Sequence, residues 1–141
     1  MSKVIDTKID DGILTFTFTN QNDEVFASFR LNPTDVNVAA RAEEVSEFFE
    51  HLEESFKKVA TNREAAELNA LIEDKLNYLL GYEASKDLFK EPITATTFFA
   101  SGQMFAVIVL DKIVDAIKPE IEKRRKKMQA AVNKYTEKYT K

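Results

Sequence analysis

The chain has no cysteine, which excludes disulfide bridges, thiolate zinc sites and cysteine nucleophiles. It has one histidine, His51, and three glycines, at positions 12, 81 and 102. Glycines so far apart cannot build a phosphate-cradling loop or a dinucleotide fingerprint, and no sharp elbow presents a nucleophile beside a base. Long apolar runs are missing too. The longest, Met104 to Leu110, falls far short of the ~20 residues that span a bilayer, and MSKVIDTKIDDG at the N-terminus carries no signal-peptide core. These absences predict a soluble, cytoplasmic protein that is not an enzyme, has no cofactor or metal and does not engage a membrane.

What is present is ordinary in amount and unusual in arrangement. With 141 residues, 44% hydrophobic and 31% charged, the chain suits one folded domain with one core. Its charge is divided unevenly. From Lys118 to Lys141 nine Lys and Arg face three Glu, a net of +6, so the total of −4 leaves −10 on the rest. An acidic body carries a basic tail.

The pattern predicts an α+β domain in three stretches: a β meander over 1–31, a helical body over 32–117 and a basic amphipathic helix over 118–141. Asp11-Gly12 is a tight-hairpin dipeptide. Around it, residues 2–10, then 13–19 with Leu14, Phe16 and Phe18 alternating with threonines, then VFASFRL after the turn NQND, predict a three-stranded antiparallel sheet. Asn32-Pro33-Thr34-Asp35 predicts a helix start, with Asn32 as cap. A helix to about Ala60 buries Val38, Ala42, Val45, Phe49, Leu52, Phe56 and Val59, at steps of four and three. Thr61 and Glu64 form a capping-box pattern and Gly81 a left-handed stop, bounding a second helix. The third and longest main helix opens in ITATTFF, runs through the all-round apolar MFAVIVL, and is kinked or broken near Pro119. Beyond it Ile121, Met128, Val132, Tyr135 and Tyr139 keep an apolar stripe at helical spacing.

His51 lies among Glu47, Glu50 and Glu54, a possible metal set. The di-iron helix pattern needs Glu three residues before His, however, and that position is Phe48. A solvated acidic face is the simpler reading. The run Lys123, Arg124, Arg125, Lys126, Lys127 suggests nucleic-acid contact. Five consecutive helical residues at 100° intervals point round almost the whole axis, though, and the acidic body repels a polyanion. A small nucleic-acid-binding regulator using this run is the alternative; a basic helix that meets a protein partner is preferred. Eleven phenylalanines exceed what narrow stripes bury, so Phe98 and Phe99, with Met128, Val132, Tyr135 and Tyr139, are the candidate partner-binding residues.

The order of a small N-terminal meander, FRLNPTD leading into a Glu-rich helix, LLGYEASKDLF closing a second helix, and a long aromatic helix with a Lys/Tyr tail resembles the small tail assembly chaperones of siphophages and prophages of Gram-positive bacteria. Gly81 followed by Ala84 to Phe89, and the Tyr135 and Tyr139 pair, carry the likeness, which spans nearly the whole chain. The resemblance implies a non-enzymatic helper that binds the long, apolar, helical tape measure protein and recruits tail tube subunits. Self-association into a homo-oligomer through apolar helix faces is also expected.

Overall fold

A computed structural model describes residues 2–139, the side chains of Lys138 and Tyr139 excepted. It is an α+β fold in the order β1 (Leu14–Thr19), β2 (Val25–Leu31), α1 (Val36–Glu50), α2 (Leu52–Lys57), α3 (Asn62–Leu80), α4 (Ser85–Leu88) and α5 (Phe105–Tyr139).

The sheet has two antiparallel strands rather than three, with Leu14 opposite Leu31 and Phe16 opposite Phe29. Residues 2–10, expected to be a first strand, are exposed and pair with nothing among the described residues. The turn between them and β1 does not close because carboxylates take its donors. Asp10 Oδ1 accepts from the Gly12 N–H and Asp11 Oδ1 from the Ile13 N–H, each at 3.0 Å, the side-chain competition that disfavours a ladder. The β1–β2 turn is closed, with Asn20 Oδ1 accepting from the N–H groups of Asn22 and Glu24 at 2.8 and 3.1 Å. A bulge follows. Phe18 pairs with Ala27 and Thr19 with Val25, which leaves Phe26 extra and turns its ring toward the core face instead of away from it.

The helical boundaries follow local donors and acceptors. Asp35, not Asn32, caps α1, accepting from the Asn37 N–H at 2.9 Å. The side chain of Asn32 is spent one turn earlier, on the N–H and hydroxyl of Thr34. The helix expected to reach Ala60 is divided at His51, whose φ of −99° and ψ of 7° leave the helical region. Leu52 stays buried beyond the break. For α3 the Thr61 cap forms as expected, its Oγ1 accepting from the Glu64 N–H at 3.1 Å, while Glu64 Oε2 reaches past Thr61 to accept from the Ala60 N–H at 3.0 Å. Gly81, at φ 80°, ends it, and Arg41 Nε donates to the Leu79 carbonyl at 3.1 Å, a cation on the carbonyl-rich end.

ITATTFF is not helical. Thr97 Oγ1 accepts from the Thr94 N–H, and Asn69 Oδ1, from α3, accepts from both the N–H and the hydroxyl of Thr96. With its donors so engaged the segment makes a turn, Phe98 bridges to Met104, and α5 starts only at Phe105. That helix then runs 35 residues, uninterrupted through Pro119, so the break expected there does not occur. Both Pro119 and Asp115, the residue four earlier whose carbonyl loses its donor, are exposed, and water can satisfy that carbonyl.

The core lies where α1, α3, α4 and the first half of α5 meet under β2. Its aromatic centre is Phe105, fully buried, with ring centroids 5.2 to 5.7 Å from Phe18, Phe26, Phe89 and Phe99. Leu76, Leu79, Ile72, Val109 and Ile113 close the helical side. The LLGYEASKDLF segment is part of this structure: Ala84 and Leu88 are buried, the Ser85 N–H donates to Asn77 Oδ1 at 2.7 Å, and the Tyr82 hydroxyl accepts from the Arg30 N–H of β2 at 2.7 Å.

Candidate functional site

Among the described residues the last buried position of α5 is Ile117. At 1.5 Å per residue, the remaining 22 residues to Tyr139 carry the helix roughly 33 Å further. Thr34, at the loop before α1, receives a hydrogen bond from Arg124 Nη2 on its carbonyl oxygen. Past that point the stripe expected from spacing is open to solvent: Met128, Val132 and Tyr135 are 64%, 57% and 66% exposed, and Ile121, one turn before the clasp, 37%. Tyr139 ends the helix, and its side chain lies outside the described residues.

The stripe does not begin at Ile121. Val107, Val114, Ile121, Met128 and Tyr135 recur every seven residues, the repeat that keeps one seam facing a partner helix. Upstream of Ile121 this seam borders a groove of about 380 Å³ between α1 and α5, lined by Phe49, Val107, Leu110 and Val114 with Glu50, Asp111, Asp115 and Lys118 at its rim. A second groove, about 460 Å³, shares Val107 and is lined by Leu52, Phe56, Phe98 and Met104. Downstream, Ile121, Met128 and Val132 lie between Arg124, Arg125 and Gln129. Apolar side chains open to a partner thus recur from Phe98 to Val132, edged mainly by carboxylates, with Lys118, along the first half and by guanidinium groups along the second.

Adjacent phenylalanines take different places on it. Phe98 is 64% exposed, whereas Phe99 is partly buried and packs edge-on to Phe105, 5.3 Å between centroids. Phe48 and Phe49 are both partly buried, and Phe48 lies under the Lys75 ammonium at 5.3 Å. Phe49 and Phe56, absent from the candidate residues, belong to the grooves. Their positions were visible as helix-stripe residues; what spacing could not show is that the stripe is left partly uncovered.

The basic run does not form a single face. Lys123, which pairs with Glu120 at 3.6 Å, Arg124, which is engaged by Thr34, and Lys127 border one hollow, while Arg125 edges the apolar stripe and Lys126 is exposed elsewhere on the helix. Around His51 the carboxylates of Glu47, Glu50 and Glu54 are exposed, with His51 Nδ1 4.0 Å from Glu54. Among the described residues no group of three or more His, Asp or Glu is placed to hold a metal ion, and no helix is long and apolar enough to cross a membrane.

The acidity of Glu73 is changed. Burial raises Glu73 above its ordinary value, opposed by the hydrogen bond from Asn69 Nδ2 and reinforced by Asp74 and Glu91. Because Asn69 also holds Thr96, this network ties α3 to the turn that precedes α5.

The chain matches no family model, no curated protein and no solved structure.

Proposed function

We propose that the protein is a non-enzymatic assembly helper, a phage or prophage tail assembly chaperone that holds apolar helical stretches of the tape measure protein and recruits tail tube subunits. The observation that carries the reading is the heptad-spaced apolar face of α5, partly uncovered on the body and open along the projecting tail.

Magnitudes decide how much of that face a partner must cover. A fully exposed aliphatic side chain gains about 1.5–3 kcal/mol on burial. Ile121, Met128 and Val132 are about half exposed, so together they supply roughly 2–5 kcal/mol by the same measure. Association costs on the order of 4–15 kcal/mol in lost freedom. The tail alone is therefore a weak site, and a helix must also enter the grooves at Val107, Val114, Phe49, Phe56 and Phe98 to be held. Such a partner has an apolar seam, and charges that reverse those of the face: cationic where it meets Asp111 and Asp115, acidic where it meets Arg124 and Arg125. Met128 gives the surface the adaptability that serves a long, repetitive client.

Co-expression with the tape measure protein from the same genome tests the reading. A soluble complex that copurifies is expected; a tape measure protein that remains insoluble with no complex formed would refute it.

A further inference from the structure

Residues 3–9 form an arm whose backbone makes no hydrogen bond among the described residues, and whose apolar side chains Val4, Ile5 and Ile9 are 92%, 89% and 76% exposed. Beside it β1 pairs, among the described residues, on one side only, with β2. The inward-facing Phe16 and Phe18 of β1 are only partly buried, whereas Ala27 and Phe29 opposite them are fully covered. An open sheet edge and an extended apolar segment without a ladder thus belong to the same chain. Each lacks what the other offers.

The hinge between them explains why they do not meet within one copy. Closing Asp11-Gly12 as a two-residue turn would draw the Ile13 N–H to the Asp10 carbonyl. That N–H is donated instead to Asp11 Oδ1, and the Gly12 N–H to Asp10 Oδ1. The same strand pairing remains available between two copies.

We propose that the arm of one copy pairs antiparallel with the β1 edge of a second copy, and reciprocally, making a two-fold strand-exchanged dimer. Exchange of an identical element needs no surface that the closed chain would not use. The register set by Asp11-Gly12 places Ile5 opposite Phe18, Thr7 opposite Phe16 and Ile9 opposite Leu14, over the partly covered rings. Val4, Asp6 and Lys8 then meet Thr19, Thr17 and Thr15 on the wet face. A slip by one residue would put Ile5 and Ile9 against threonines, so side-chain pattern selects this register.

Charge favours the arm over the tail as the contact between copies. Lys3 and Lys8 against Asp6 leave the arm a net of only +1, whereas two tails of +6 each repel. The inference goes beyond the chaperone reading and leaves the α5 face free for a client.

The full chain, free of cysteine, allows a direct test. Asp6→Cys and Thr17→Cys are prepared separately, mixed and oxidised; a disulfide-linked dimer is expected in the mixture and not in either variant alone. No linked dimer in the mixture overturns the proposal, as does a D6C/T17C double variant that links only within one chain. By sedimentation velocity the unmodified protein is expected as a dimer, I5D/I9D as a monomer with unchanged helical circular dichroism, and M128D as a dimer still. A monomeric unmodified protein, or a dimer lost in M128D and kept in I5D/I9D, contradicts strand exchange.

Discussion

Replacing Phe105 by leucine tests the aromatic centre of the fold. The ring is fully buried and meets Phe18, Phe89 and Phe99 edge-on, with interplanar angles of 89°, 88° and 64°. Such pairs contribute about 0.5–1.5 kcal/mol each beyond the area they bury. Leucine keeps most of the apolar area and loses all three, so Phe105→Leu is expected to destabilise by about 2–4 kcal/mol. Complete truncation to alanine would cost about 3–5 kcal/mol or more. For a chain of this size 1 kcal/mol corresponds to roughly 3 °C in Tm, giving a fall of about 6–12 °C by calorimetry. Phe98→Leu is the control: at 64% exposed it should stay within about 0.5 kcal/mol of the parent. A loss below about 1 kcal/mol for Phe105→Leu, or a larger loss for Phe98→Leu, would refute the placement of the two rings.

Thr61→Ala removes the acceptor of the Glu64 N–H and is expected to lower stability by about 1 kcal/mol in urea titration, with the slope unchanged. Glu73, whose carboxyl is raised above 4.5 chiefly by burial, binds protons more tightly folded than unfolded. Its contribution is complete below that value and is lost as pH rises through the folded pKa. Glu73→Gln keeps an acceptor for Asn69 and carries no charge, so the difference in unfolding free energy between parent and variant should grow in the variant's favour from pH 4.5 upward; a pH-independent difference would contradict it. Because the cations at 123–127 wind round the helix, duplex DNA should bind with no more than a non-specific affinity at physiological salt, on the order of 10⁻⁴–10⁻⁶ M or weaker, in fluorescence anisotropy. Tight, steeply salt-dependent binding abolished by glutamine at all five positions would favour the nucleic-acid reading.

What could be read directly in the chain is what short-range chemistry decides. Both ends of α3 were legible because Thr61, Glu64 and Gly81 act within one turn. The faces of β1 and β2 followed from alternation, except at Val25, expected inward with Ala27, Phe29 and Leu31 but exposed, and at Phe26, where a bulge turns the side chain to the core. Competition for a donor was not legible. Whether the Ile13 N–H goes to a carbonyl or to Asp11 Oδ1 decides between three strands and two, and threonine hydroxyls with Asn69 decide that ITATTFF turns instead of coiling. The division at His51 carries no glycine or proline to announce it. At the candidate site, Ile121, Met128, Val132 and Tyr135 were visible from spacing alone. Their continuation through Val107 and Val114 was hidden because MFAVIVL is apolar all round and no face of it stands out. Phe98 and Phe99 could not be separated until the bridge to Met104 had turned one outward and the other toward Phe105.

The uncovered α5 face is the centre of the account, and copurification of the tape measure protein with a Met128→Asp/Val132→Asp variant tests it most directly. Both residues are exposed, so the variant should fold with unchanged Tm and helical content. Losing roughly 2–4 kcal/mol of apolar contact at the two positions weakens binding about thirtyfold or more, and the recovered complex should fall accordingly. Undiminished copurification by a folded M128D/V132D variant would contradict a client held along α5.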